Sequence, residues 1–245
     1  MAEPGEPKPA RLAWWPEERR RSSDKEPLSR TQIVAAAIKL IDADGLQKFS
    51  MRRLGQELGA GATSFYWHVK DKDQLIDLVL DDLAGSVEIH DDPTKHWRER
   101  IEYVAREMHT LLDRHPRLAP LYGARLTIGP NTLRVMELLL RILRDGGFEG
   151  NRLMLGFSAV LNLSVAWAVM GNRDITGSDT AGKTVEELEQ FQMETLLSLP
   201  PDEFPNLVSI VTEVNPAEVT EGDQFEYALK CMLDGMEREL AASKG

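Results

Sequence analysis

Between Met51 and Lys72 the chain gathers Arg52, Arg53, Thr63, Ser64, Tyr66, His68, Lys70 and Lys72. These guanidinium, hydroxyl, imidazole and ammonium groups can hydrogen-bond base edges and neutralise phosphates. Their spacing supplies a frame. Met51, Leu54 and Leu58 recur at helical intervals, Gly59-Ala60-Gly61 interrupts the helix, and Ala62, Thr63 and Ser64 open a second one. Phe65 and Val69, four residues apart, give that second helix an inward face. The polar groups, with Trp67 beside them, are left along one outward edge. A helix-turn-helix of this size fits the DNA major groove. Two short helices around a glycine turn also occur in all-helical proteins that touch no nucleic acid, so the flanking sequence must decide.

Ser29 to Gly45 reads as an amphipathic helix with Ile33, Ala37, Ile38, Leu40 and Ile41 on one side, and Ser29 with Gln32 has the spacing of a capping box. Asp71 caps a further helix whose apolar residues are Leu75, Ile76, Leu78, Val79 and Leu83. Upstream, Trp14-Trp15 and the triplet Arg19-Arg20-Arg21 stand where a basic arm can enter a neighbouring minor groove, the alternative being a solvated tail.

A net charge of -11 argues superficially against nucleic acid. Its distribution reverses the argument. Residues 11–72 hold 12 basic and 8 acidic side chains, net +4, whereas residues 73–245 hold 16 and 30, net -14. A local patch close to phosphates outweighs distant, screened charge. Cys231 is the single cysteine, so no intrachain disulfide forms and a reducing cytoplasm is the expected home. Residues 1–28 lack the apolar segment of a targeting signal. The longest apolar stretch, Leu153 to Met170, is interrupted by Gly156, Ser158, Asn162 and Ser164, and reads as a buried helix; no membrane partner is expected. Nor does a catalytic constellation stand out. His68, His90, His96, His109 and His115 lack the spacing of a zinc hydrolase, and Gly59-Ala60-Gly61 is too short for a dinucleotide fingerprint. The expectation is therefore no enzyme, no metal and no cofactor.

After a charged break at His90-Asp-Asp-Pro93, a long helix carries Trp97, Ile101, Val104, Ala105, Met108, Leu111 and Leu112 until His115-Pro116. Residues 117–130 are irregular, and a small helix or a pocket wall could sit there. Asn131 to Asp145 returns to helix with Leu133, Met136, Leu140 and Leu143 inside and Gly146-Gly147 as its stop. An apolar helix follows over about Asn151 to Gly171, rich in small residues that allow another helix to approach closely. Beyond a polar loop, Thr184 opens a helix to about Leu199, a short piece covers Asn206 to Val214, and a last helix from about Glu221 to Ala242 presents Phe225, Leu229, Met232, Leu233, Met236 and Leu240. Within this half, Met108, Leu112, Leu121, Met136, Phe157, Leu161, Trp167, Met170 and Met193, joined by polar His109, Arg125 and Asn162, could line an apolar cavity with a few convergent polar groups, the description of a small-molecule site.

Ser50-Met-Arg-Arg-Leu-Gly-Gln-Glu-Leu-Gly59 followed by Tyr66-Trp-His-Val-Lys70 and Lys72 resembles the tetracycline repressor (TetR) family of bacterial transcription regulators. Tyr-Trp-His-Val-Lys is similar to its tetracycline-responsive branch, and Phe225 to Leu240 looks like the last helix of that branch's regulatory domain. The resemblance implies a homodimer paired through its central and terminal long helices, double-stranded operator DNA as one partner and a small-molecule effector as another. It also implies departures. Leu121 stands where that branch has a metal-coordinating histidine, so a largely apolar or aromatic effector is expected rather than magnesium-tetracycline. Ala62 and Thr63 replace the amide and proline that begin its recognition helix, so the operator should differ.

The resulting expectation is an all-α protein: a flexible basic arm over residues 1–27, a three-helix helix-turn-helix domain over 28–75, and a helical ligand-binding and dimerisation domain over 76–245. Its function would be ligand-responsive regulation, with an effector releasing the dimer from its operator. The alternative is an architectural or protein-contact DNA binder without an effector. Arg52 is the expected base reader, with Thr63 and Tyr66 next, while Ser64, His68, Lys70 and Lys72 are assigned to phosphates.

Overall fold

The computed structural model describes residues 28–59, 68–87, 89–125, 127–171, 185–213 and 219–242. Ordered along the chain are α1 (Arg30–Asp44), α2 (Met51–Glu57), α3 (Lys72–Gly85), α4 (Trp97–Arg114), α5 (Ala119–Ala124), α6 (Pro130–Asp145), α7 (Gly150–Gly171), α8 (Val185–Leu197), α9 (Pro205–Glu213) and α10 (Glu221–Ala242), with no strand among the described residues. Arg19, Arg20, Arg21, Ala62, Thr63, Ser64, Tyr66, Trp67 and the Met170 side chain lie outside what is described.

The chain forms two compact units, one extending to Val169 and the other beginning at Met170. In the first, side-chain caps set the starts of the N-terminal helices, at the expected Ser29 and Asp71 and also at Ser50. Ser29 Oγ accepts the Gln32 N–H at 3.1 Å while Gln32 Oε1 accepts the Ser29 N–H at 2.8 Å, a reciprocal capping box. Ser50 and Asp71 cap α2 and α3 by accepting the N–H groups of Arg53 and Gln74. The apolar stripes then converge. Ile33, Val34, Ala37 and Ile41 of α1, Leu54 of α2, Val69, and Leu75 and Val79 of α3 form one buried cluster, which also contains Leu118, with Leu111, Leu121 and Tyr122 packed against it. The expected division at residue 75 falls inside α3, and the DNA-side core draws side chains from far beyond it.

Helix α6 packs on both α3 and α4. Its buried residues are Leu138, Leu139, Ile142 and Leu143, whereas Leu133 is exposed and Met136 and Leu140 are only half-buried. Of the inner face read from the sequence only Leu143 is buried; the buried face is set by packing on two helices at once, which the spacing within α6 does not specify. Helix α4 buries Trp97, Ile101, Val104, Ala105 and Leu112 as expected, and also Arg100. That guanidinium is satisfied by Asp91 (2.7 and 2.9 Å) and Asp145 (2.8 Å), so a fork of carboxylates from both flanks makes its burial tolerable. Next to it Trp97 meets the edge of Phe148 at 5.0 Å between centroids, and a Cβ at Gly146 would lie 2.6 Å from the Trp97 ring, so this close approach requires glycine.

Helix α7 has two faces. Leu153, Phe157, Val160, Ser164 and Ala168 are buried, with Ser164 Oγ returned to the Val160 carbonyl at 3.0 Å. Leu155, Asn162 and Ala166 are exposed on the opposite side, with half-buried Ser158 and Ala159 between them. By length and composition the helix could cross a membrane; its division into a packed face and an outward face of apolar and small residues instead suits a helix placed between a core and a partner. In the second unit α8 packs with α9. Helix α10 buries Phe225, Leu229, Leu233, Met236 and Leu240, the stripe read from the sequence.

The Arg100 hydrogen bond, reinforced by Arg141, holds the Asp91 carboxyl below its usual range. A depressed carboxylate stabilises the fold at pH values above its unfolded pKa of about 3.9, and that contribution disappears as pH falls through the lower folded value. Urea unfolding of wild type and Asp91→Asn should therefore show a stability gap that is full above about pH 4 and closes below it. A gap constant down to pH 2 would refute the assignment.

Candidate nucleic-acid interface and effector site

Arg52 projects from α2, is exposed, and makes no ion pair with the described residues. Its neighbour differs. Arg53 Nη2 donates to the Asp44 carboxylate at the end of α1, so Arg53 braces α2 against α1. Lys70 is exposed just before α3 while its backbone N–H is fixed by Gln74 Oε1 at 2.6 Å, and His68 is half-buried. Lys72 donates to the carbonyls of Leu46 at 3.1 Å and Phe49 at 3.0 Å, and its ammonium stands 5.5 Å from the centre of the Phe49 ring. Two of its three donors are thus spent inside the protein. The expectation of Lys72 as a phosphate contact gives way to a strut that ties the start of α3 to the loop ahead of α2. Arg53 is likewise a brace first.

On the other side, Leu112 of α4, Ala119 of α5 and Ala168 of α7 are buried together, with Tyr122 and Val165 against them. Phe157 is buried, and Met108, His109, Met136, Leu161, Trp167 and Met193 are half-buried. Three expected effector contacts are placed elsewhere. Arg125 is ion-paired with Asp73 at 3.0 Å and Asp77 at 3.1 Å, both on α3. Leu121 packs against the DNA-side core. Asn162 is exposed on the outward face of α7, about 140° around the helix from Phe157, so the two cannot line one cavity from the same subunit. A cavity of ≈ 310 Å³ opens where Ile89, His90, Lys95, Glu99 and Tyr103 meet, and none of the expected effector contacts lines it.

Some contacts were not anticipated. Asp81, buried on α3, accepts the N–H groups of Asn131 and Thr132 at the start of α6. Tyr122 Oη donates to the Leu80 carbonyl, and burial, with Asp81 adding to it, pushes its pKa up, so it remains a donor at neutral pH. His115 Nδ1 lies 2.7 Å from Asp42 Oδ2, and Arg117 donates to the Asp42 carbonyl at 3.0 Å, joining α1 to the end of α4. One signal was available for the first of these: Asp73, Asp77 and Asp81 recur every four residues and so form one acidic stripe on α3.

Among the described residues no group of three or more His, Cys, Asp or Glu side chains could hold a metal. Residues 33–79 match the profile described as bacterial regulatory proteins, tetR family, and residues 90–240 match the tetracyclin repressor-like C-terminal domain. An HTH-type transcriptional regulator of Saccharopolyspora erythraea is 35% identical over 69% of this chain and 73% of its own length. The HTH-type transcriptional repressor DrrR1 of Streptomyces coeruleorubidus is 30% identical over 94% of this chain and 86% of its own. Among solved structures, the TetR family protein ActR of Streptomyces coelicolor in complex with (S)-DNPA superimposes with a TM-score of 0.74 at 29% identity, covering 88% of this chain and all (100%) of that one. Its complex with actinorhodin gives 0.73 at 31% identity, over 86% and 96%. An N-terminal reading head and a C-terminal regulatory bundle, matched in order along nearly the whole chain, place this protein in the TetR family of bacterial transcriptional regulators.

Proposed function

We propose that this chain is a cytoplasmic, homodimeric repressor that an aromatic or largely apolar small molecule releases from its operator, and that it is not an enzyme. The observation that carries the reading is the likeness to ActR over 88% of the chain, because ActR has been solved with (S)-DNPA and with actinorhodin. The meeting of α4, α5 and α7 at Leu112, Ala119 and Ala168 supports it, since a ligand among those helices would press on α5, whose Leu121 and Tyr122 pack against the DNA-side core. Phe157, Leu161, Trp167, Met108, His109, Leu112 and Met136 remain our candidate contacts, while Met170 and Met193 belong to the second compact unit. Arg52 and Lys70, with Thr63, Ser64, Tyr66 and Trp67, are the proposed DNA-reading set, residues 28–75 the minimal reading head, and Arg19 to Arg21 the proposed minor-groove arm.

The decisive experiment selects duplexes from a random library at low ionic strength, then titrates the complex with actinorhodin and, separately, with magnesium-tetracycline. Release by the first and indifference to the second is expected. A complex indifferent to both actinorhodin and a panel of aromatic polyketides would favour the architectural alternative.

Substituting Arg52 by Ala should weaken the selected duplex by about 1–3 kcal/mol and relax preference at one base position; unchanged affinity in a mobility-shift titration contradicts the role. Lys72→Ala should lower unfolding free energy by about 1–3 kcal/mol, since the Leu46 and Phe49 carbonyls lose a charged donor, and should leave the salt dependence of DNA binding as in wild type. A slope shallower by about one unit would restore the phosphate contact. Leu155→Glu places a charge on the outward face of α7 and should yield monomers in sedimentation velocity; an intact dimer would move the interface elsewhere.

A further inference from the structure

The loop ahead of α4 and the first two turns of that helix enclose the cavity of ≈ 310 Å³. At about 30 Å³ per water it has room for on the order of ten waters, the size of one small ligand. Its wall is held in place. Arg100, only 5% exposed, grips Asp91 with two hydrogen bonds at 2.7 and 2.9 Å, and Arg141 of α6 reaches the same carboxylate at 3.0 Å, so the loop is fastened to two helices. Within the loop, Asp92 Oδ1 accepts the Thr94 N–H at 3.0 Å and the Thr94 hydroxyl at 2.7 Å, and the Lys95 N–H donates to the Asp92 carbonyl at 3.1 Å. A wall tied in this way has little freedom left to lose when a ligand binds.

These bonds also sort the charges. Arg100 and Arg141 neutralise Asp91 and Asp145, and Asp92 closes the turn on Thr94. Two charged side chains at the cavity are left over. The Lys95 ammonium and the Glu99 carboxylate are exposed, and neither is ion-paired among the described residues. Much of the remaining lining is apolar: Ile89 from the loop, Val104 from α4, and the ring of Tyr103 one turn beyond Glu99. The His90 imidazole can add a hydrogen bond at the rim. A ligand with a single charge would pair with one of the two leftover groups and oppose the other, whereas a molecule carrying both charges satisfies both. We propose that this cavity binds a small zwitterion with an apolar body, the chemistry of a free apolar amino acid. Its carboxylate faces Lys95, its ammonium faces Glu99, and its side chain lies on Ile89, Val104 and Tyr103. Arg100 and Asp91 act there as positioning residues. The site shares no lining residue with the meeting of α4, α5 and α7, and it does not depend on the regulatory reading.

The test follows isoleucine, leucine and valine methyl resonances of the full-length protein during titration with three matched probes. These are L-phenylalanine, hydrocinnamate, which lacks the ammonium, and phenethylamine, which lacks the carboxylate. L-Phenylalanine should shift the Ile89 and Val104 methyls and approach saturation by about 10 mM, the range expected for a ligand of this size. Each half-charged analogue should bind roughly tenfold more weakly, having lost one charge-assisted contact. Lys95→Met should bind L-phenylalanine and phenethylamine alike, and Glu99→Gln should bind L-phenylalanine and hydrocinnamate alike, because each substitution removes the group that tells that pair apart. Asp91→Asn should weaken all three probes to a similar degree without changing their order. If that variant does not fold, Arg141→Met, which removes one of the two helix fastenings, should show the same effect more weakly. Equal binding of the three probes to wild type, no saturable shift at Ile89 and Val104 with L-phenylalanine, or shifts confined to Leu112 and Leu161 would overturn the assignment. Failure of wild type to bind any duplex would overturn the regulatory reading alone, and the methyl titrations would still judge the cavity.

Discussion

The DNA-side helices share their apolar core with the regulatory half of the same compact unit. Leu118 is fully buried among Ile33, Ala37, Leu54 and Val79, and Leu121 and Tyr122 close the same cluster. A three-helix head of this size has little interior of its own, so the side chains it borrows are a substantial fraction of what holds it together. The borrowing also fixes orientation. A head attached only by a linker would sample many angles, whereas one whose core includes residues 118–122 must move when they move. His115 and Arg117 add a polar contact to the apolar one, at Asp42 near the C-terminal end of α1.

Against that constraint the basic residues fall into two groups. Arg53 and Lys72 have partners inside the protein and hold the head's own geometry; Arg52 and Lys70 are exposed and available to a polyanion. Counting charges along the sequence does not separate these groups, yet the separation decides which substitution disturbs binding and which disturbs folding. The acidic excess of the later chain is similarly divided. Asp91 and Asp145 neutralise a buried guanidinium, Asp73 and Asp77 hold Arg125, and Asp81 caps a neighbouring helix. Several carboxylates near α3 and α4 that read as free negative surface are engaged in specific ion pairs or caps, exposed or not.

The sequence made legible what short-range physics controls. Capping at Ser29 and Asp71, the stripes of α1, α3, α4 and α10, and the stop at Gly146 all follow from spacing and turn chemistry within a few residues. Contacts across long sequence separations were not legible. The buried face of α6 is set by its packing on both α3 and α4, Arg100 is buried because the distant Asp145 joins Asp91 in meeting it, and Arg125 and Leu121 engage α3 and the DNA-side core. Asn162 illustrates the same limit: a polar residue on an apolar helix suggested a ligand contact, whereas its position on α7 puts it on the outward face, where a partner subunit is the nearer explanation. The motif located the head and named its chemistry; which side chains transmit to it depended on topology.

The borrowed cap on α6 has an evolutionary corollary. Positions 81 and 129 lie 48 residues apart, yet the absence of a side chain at one is what admits the carboxylate of the other. A lineage that gained an ordinary capping serine at 129 would have to shrink or redirect residue 81 in the same step, and one that lost Asp81 would leave glycine at 129 with no reason to persist. The two sites should therefore drift together among descendants of this chain, as a linked pair.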